Sequence, residues 1–413
     1  MAIGRRQFTQ NLAALAGGLG ASRRAWAQKR YDVGATDTEI TIGQTIPYSG
    51  PVSSYGAQGI MHAAYFKMIN EQGGINGRKI NFISLDDAYS PPKTVEQTRR
   101  LVEQEQVLFI FNGLGTPTSA AVQKYLNVKQ VPQIFISTGA SRWNDPQHFP
   151  WTIGWAPSYR AEGAIYGQYI PDNYPDAKIA IMYQNDDFGK DYLNGLKDGL
   201  GPNRLNLIVK EVTYEPSDPT VDSQVVSAMQ SGANVFFQAS TSKFAAQAIR
   251  RVNDLDWKPA HFLSSTAGSI ANTFGPVGLD KCVGIISVTY IKDIKDPAYA
   301  QDEDVLYYLD FMKKRIPDGA VDDANYSYAL ATVSTLMQVL KQCGDDLTRA
   351  NVMRQVANLH NLVVPMLLPG ITINTSPDDY FPIEQMQLMR FNGQVWELFG
   401  DIITGEIGHD AGH

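Results

Sequence analysis

"FIFNGLGTPTSAA", Phe109 to Ala121, joins an apolar run to a helix-forming stretch through two glycines that bracket a leucine. Strand, glycine turn and helix start make an anion-binding arrangement, because the first backbone N–H groups of a helix have no partner inside it. A dinucleotide fingerprint needs a third glycine and an acid about 20 residues on. Here Gly113-Leu114-Gly115 is followed by Thr116, Pro117 and Thr118, so the third glycine is missing, and no G-K-[ST] phosphate loop occurs. A glycine turn feeding two threonine hydroxyls and free N–H groups suits a smaller anion such as a carboxylate. A plain capped βα turn is the alternative.

A second turn of this kind is "ISTGASR" (Ile136–Arg142), where Ser137, Thr138 and Ser141 surround Gly139 after another short strand. Two hydroxyl-rich turns on neighbouring strands can converge on one carboxylate. Each hydrogen bond to a charged group contributes about 1.5–3 kcal/mol.

Working outward, apolar β-rich runs alternate with helical patterns. "EITIGQTIP", "KINFISLDD", "VLFIFN" and "PQIFIS" read as strands, with helices from Ala57 and Lys93 between them. The rhythm resumes in "KIAIMY", a helix from Lys190, "LNLIVKEVTY", "NVFFQAS", a helix through Arg250 and "AHFLSS". Such alternation predicts an α/β protein of parallel sheets with helices on both faces. Gly139–Gly163, rich in proline and tryptophan, reads as a crossover between two lobes. From about Val288 long helical patterns follow, and then a β pair with Asn392-Gly393 as its hairpin turn. Two such lobes make the cleft between them the expected binding site.

The chain has 413 residues, a net charge of −7 and no basic stripe, which argues against a nucleic-acid partner. Its two cysteines, Cys282 and Cys343, offer neither a disulfide scaffold nor a CxxC metal pair; one bridge or two core thiols are both open. Residues 1–27 carry Arg5-Arg6, a short apolar run and Ala25-Trp26-Ala27. This fits a twin-arginine export signal cleaved before Gln28, with an ordinary secretory signal as the alternative. The mature chain is expected in the periplasm.

Enzyme motifs are weak. There is no G-x-S-x-G and no H-E-x-x-H; His62 reads as surface or packing, and Asn185-Asp186-Asp187 as a solvated loop without a catalytic partner. No cofactor is expected. Aromatics stand out more. Tyr48 and Tyr55 flank "SGPVSS", Phe188 follows the first strand of the second series, and Trp143, Trp151 and Trp155 lie in the crossover. Loop aromatics near a cleft can hold an apolar or aromatic ligand.

"SGPVSSYGAQG…MINEQGGINGRKINFISLDDAYSPPKTVEQTRRLV", "YQNDDFGKDYLNGLKDGL" and "DPTVDSQVVSAMQSGANVFF" resemble the periplasmic branched-chain amino-acid-binding proteins of ABC transporters. The resemblance runs over nearly the whole mature chain. It implies a type I periplasmic-binding fold, two Rossmann-like doubly wound lobes joined by three crossovers. It further implies lobes of 38–155 plus 291–381 and of 156–290 plus 382–403, with a tail at 404–413. Crossovers near Trp155, Tyr290 and Phe381 form the implied hinge. Members deliver ligands to a membrane permease and catalyse nothing; a monomer is expected.

Carried over residue by residue, the resemblance puts the ligand carboxylate on Thr116, Gly139 and Ser141, and a stacking aromatic at Phe188. Three departures matter. The acid that pairs with the ligand ammonium in such binders falls at Thr266, among Ser264, Ser265 and Ala267, with no acid in the turn. Ser240 stands where a larger aromatic is usual. The family's disulfide positions read Tyr89 and Gly115. Burying an ammonium without a counter-charge costs several kcal/mol. The expected ligand is therefore a small carboxylate without an α-amino group: an aromatic acid first, a short-chain or keto acid second, an amide or urea third. Arg142 either adds a charge-assisted bond or faces solvent.

Overall fold

The computed structural model describes residues 29–405; the expected export signal at 1–27 and most of the 404–413 tail lie outside them. The first series runs β1 (Arg30–Tyr31), β2 (Glu39–Ile46), α1 (Ala57–Glu71), β3 (Lys79–Asp86), α2 (Pro91–Arg99), β4 (Phe109–Phe111), α3 (Thr116–Val128), β5 (Gln133–Ile136) and β6 (Thr152–Gly154). The second runs α4 (Tyr159–Asn173), β7 (Ile179–Gln184), α5 (Asp187–Leu200), β8 (Ile208–Tyr214), α6 (Asp222–Gln230), β9 (Val235–Ala239), α7 (Ser242–Asp254), β10 (Ala260–Leu263) and β11 (Ile286–Thr289). Then come α8 (Glu303–Arg315), α9 (Ala324–Cys343), β12 (Asp346–Leu347), α10 (Arg349–Val356), β13 (Gln385–Phe391) and β14 (Trp396–Thr404).

Two sheets result. The five-stranded sheet has the order β3-β2-β4-β5-β6 and is parallel throughout. The seven-stranded sheet has the order β14-β13-β11-β10-β9-β7-β8; its first five strands in chain order are parallel, and the β13–β14 hairpin adds an antiparallel edge. β1 and β12 form a separate parallel pair. This is the mixed α/β, doubly wound architecture of the type I periplasmic-binding fold. The central strands are buried on both faces, which is why "FIF" and "IAIMYQ" are continuous apolar or neutral runs.

In each sheet the strand order reverses once, between β2 and β4 and between β7 and β9. Doubly wound sheets bind ligands at such reversals, beyond the carboxyl ends of the strands. After β11 the chain returns to the five-stranded sheet, where α8, α9 and α10 share one apolar core with α1, β2 and β4. In the other half, α4 and α5 cross closely because Gly163 and Gly167 face Gly195 and Gly199; a Cβ at Gly195 or Gly199 would collide with a backbone carbonyl of α4. That crossing fixes the start of both helices, and both starts contribute to the site.

Candidate ligand-binding cleft

A cavity of about 190 Å³ opens between the two sheets. Of the expected ligand contacts, Tyr55, Thr116, Thr138, Phe188 and Thr266 line it, as does Tyr290 of the expected hinge; Tyr48, Gly139, Ser141 and Ser240 do not.

The wall on the five-stranded side is the pair of turns read first. Gly115 takes φ +99°, a left-handed conformation that glycine adopts without strain, and α3 starts directly after it. The Thr116 and Thr138 hydroxyls lie 2.6 Å apart, so the turns after β4 and β5 do converge. Thr118 differs: its hydroxyl donates back to the Leu114 and Gly115 carbonyls and is fully buried.

Ser141 is turned away from the cavity. Its N–H donates to Asp191 Oδ2 at 2.6 Å and its hydroxyl to Asp191 Oδ1 at 2.8 Å. The turn thus holds a carboxylate, but one supplied by α5. Arg142, beside it, pairs with Asp187 (2.7 Å) and Gln123 (2.9 Å). Gly139 packs against the Pro157 carbonyl and accepts the Tyr159 N–H. Tyr48 covers Gly59 and shares a hydrogen bond with Ser84. Ser240 is buried between Gln238 and Ser264.

On the seven-stranded side, Asp186 accepts the N–H groups of Phe188 and Gly189 and caps α5. The Phe188 ring then meets Tyr159 and Tyr192 edge-on, at centroid distances of 5.2 and 5.6 Å. The turn Ser265–Ala267 is anchored from below by Glu162 in the first turn of α4. Its carboxylate takes the Ser265 N–H (2.7 Å) and hydroxyl (2.6 Å) together with the Tyr166 and Tyr192 hydroxyls. Burial raises the Glu162 pKa, opposed by those donors.

The lobes touch across the cleft. Tyr55 donates to the Thr266 carbonyl at 2.8 Å and accepts the Ser242 N–H at 3.2 Å. Gln184 donates to the Tyr89 hydroxyl at 3.2 Å. The Tyr89 ring rests on Gly115, where a Cβ would overlap it.

A polar floor went unseen in the sequence. Ser137 donates to Gln58 (2.8 Å), Gln58 to Asn325 (3.1 Å) and Asn325 to Asp323 (3.0 Å), and Ser269 reaches the same Asp323 oxygen from the other lobe at 3.5 Å. Burial raises the Asp323 carboxyl above its ordinary range. Asp323 also caps α9 through the Asn325 N–H.

The crossover tryptophans pack: Trp143 and Trp155 are buried and do not line the cavity, whereas Trp396 does. His62 is a core residue bonded to Gln44 and Thr332, its pKa lowered by burial to about 3. Cys282 and Cys343 are free and sit in different cores. No cluster able to hold a metal ion occurs among the described residues, nor a helix long and apolar enough to cross a membrane.

A family model described as "Periplasmic binding protein" matches residues 39–394. The chain belongs to that family, whose members are solute-binding proteins and not enzymes. It is similar to the Leu/Ile/Val-binding protein homolog 1 of Brucella abortus, with 27% identity over 318 residues, 76% of this chain and 81% of that protein. Its fold matches a branched-chain amino acid ABC transporter protein of Thermus thermophilus with bound valine (TM-score 0.78, 15% identity, 90% and 98% of the two chains). It also matches a fatty acid ABC transporter substrate-binding protein of Thermomonospora curvata (TM-score 0.74, 19% identity, 92% and 96%).

Proposed function

We propose that this chain captures a small carboxylate in the periplasm and presents it to the permease of an ABC transporter, working as a monomer. The observation that carries the reading is the meeting of the Thr116 and Thr138 hydroxyls on the cavity wall at the start of α3. Donors fixed at a helix start hold an anion without an arginine. The first lobe grips the head group, and closure brings Phe188 and the Ser265–Ala267 turn onto the rest of the ligand. That turn carries no acid of its own, which favours a ligand without an ammonium, an aromatic acid foremost.

One observation favours a second reading, an amino acid. Asp323 brings a buried carboxylate to the cavity from a segment remote from the Thr266 turn. A thermal-shift screen separates the two, since native-state ligands raise the midpoint with affinity and concentration. Midpoint rises with benzoate-like and aliphatic acids but not with leucine or valine support the first reading. Rises with leucine or valine that vanish in Asp323→Asn support the second. No rise with any carboxylate overturns both.

A further inference from the structure

The lining of the cavity runs past Tyr290 to an apolar end, a chamber that includes Ile291, Ile294 and Leu368 and, from the sheet edge, Met389, Trp396 and Leu398. The parts are locked together. Met389 and Leu398 are cross-strand partners on β13 and β14, the Leu368 N–H bonds to the Tyr290 carbonyl, and the Trp396 N–H bonds to Asp293. The chamber adjoins the Thr266 turn, because the Trp396 indole N–H donates to the Gly268 carbonyl at 2.9 Å.

The charged groups at its border already have protein partners. Lys292 is held by Asp302 and Asp304 at 2.8 and 2.9 Å, and Asp322 by Lys295. Asp293 accepts the N–H groups of Lys295 and Trp396. What remains for a ligand is apolar contact, and apolar surface holds water poorly.

We propose that this chamber receives the apolar tail of the ligand, so that the substrate class is a carboxylate bearing an extended alkyl or arylalkyl chain. The proposal rests on the carboxylate reading of the cleft. Calorimetric titration of the full chain with straight-chain acids from acetate to dodecanoate, and with phenyl-substituted acids from benzoate to phenylbutyrate, tests it. Affinity is expected to climb by roughly fourfold per added methylene until the chamber is full, and then to level off. Leu398→Trp, or the milder Met389→Phe, moves the plateau to shorter chains; an unmoved plateau in both overturns the chamber. Binding that is flat with chain length overturns the chamber and leaves the carboxylate reading standing. Absence of binding by any acid in either series overturns both.

Discussion

The carboxylate of Asp191 holds both the N–H and the hydroxyl of Ser141, tying α5 of one lobe to the turn after β5 of the other. This clasp lies outside the cavity. Ser141→Ala is expected to leave ligand affinity unchanged while lowering stability by about 1 kcal/mol, read by titration and denaturant melts. A large loss of affinity with unchanged stability would return Ser141 to the ligand.

The same clasp predicts a pH dependence. Burial pushes Asp191 up to about 6, against the lowering effect of the Ser141 donors. The unfolded aspartate titrates near about 3.9. Between those values the folded chain binds more protons, so stability falls as pH rises from about 4 to about 6, by on the order of 2–3 kcal/mol. Glu162, Asp186 and Asp323 are raised by burial as well and act in the same direction. Melting temperature against pH should therefore decline over this window, with a shallower decline in Asp191→Asn. An identical slope in the variant would assign the effect to the other acids.

Thr116→Val removes one hydroxyl from the converging pair and leaves Thr138 with a lost partner. Affinity for the carboxylate is expected to fall by about tenfold or more. The fold should survive, since the packed volume is nearly conserved. Wild-type affinity in this variant would remove the two turns from the site.

Phe188→Leu keeps the apolar volume of the α5 start but loses the ring that meets Tyr159 and Tyr192. Aromatic acids should lose more affinity than aliphatic acids of similar size, by roughly 0.5–1.5 kcal/mol. Equal losses would mean that Phe188 supports the wall without touching the ligand.

Tyr55→Phe leaves the Thr266 carbonyl and the Ser242 N–H without their shared partner across the cleft. Loss of about 1 kcal/mol from the closed state shifts the closing equilibrium about fivefold towards open. Small-angle scattering should show a larger radius of gyration, and ligand affinity should drop by a similar factor. An unchanged radius would show that Tyr55 does not hold the lobes together.

Much of this was legible locally. Strand, glycine turn and helix around Gly115, the Asn392-Gly393 hairpin and the βα rhythm are all written in short-range periodicity. The Gly139–Gly163 crossover hid more. It contains β6, three residues at a sheet edge, and the start of α4 at Tyr159, capped by Ser158. Thr116 and Thr138 were visible because turn chemistry is local. Gln58 and Asn325 were not, because packing of α1 on α9 brings them together across 267 positions. The sequence assigns Ser141 to the ligand carboxylate, whereas the fold commits its N–H and hydroxyl to Asp191, a partner 50 positions away that no local pattern announces. Trp396, on a late hairpin, gave no hint that it faces the cavity.

The contact between Tyr89 and Gly115 bears on where the molecule can mature. A ring seated on a glycine needs no oxidant, and the described cysteines are free. This half of the chain can therefore finish packing in a reducing cytoplasm as readily as in an oxidising space. Protein prepared with and without thiol reductant should melt at the same temperature.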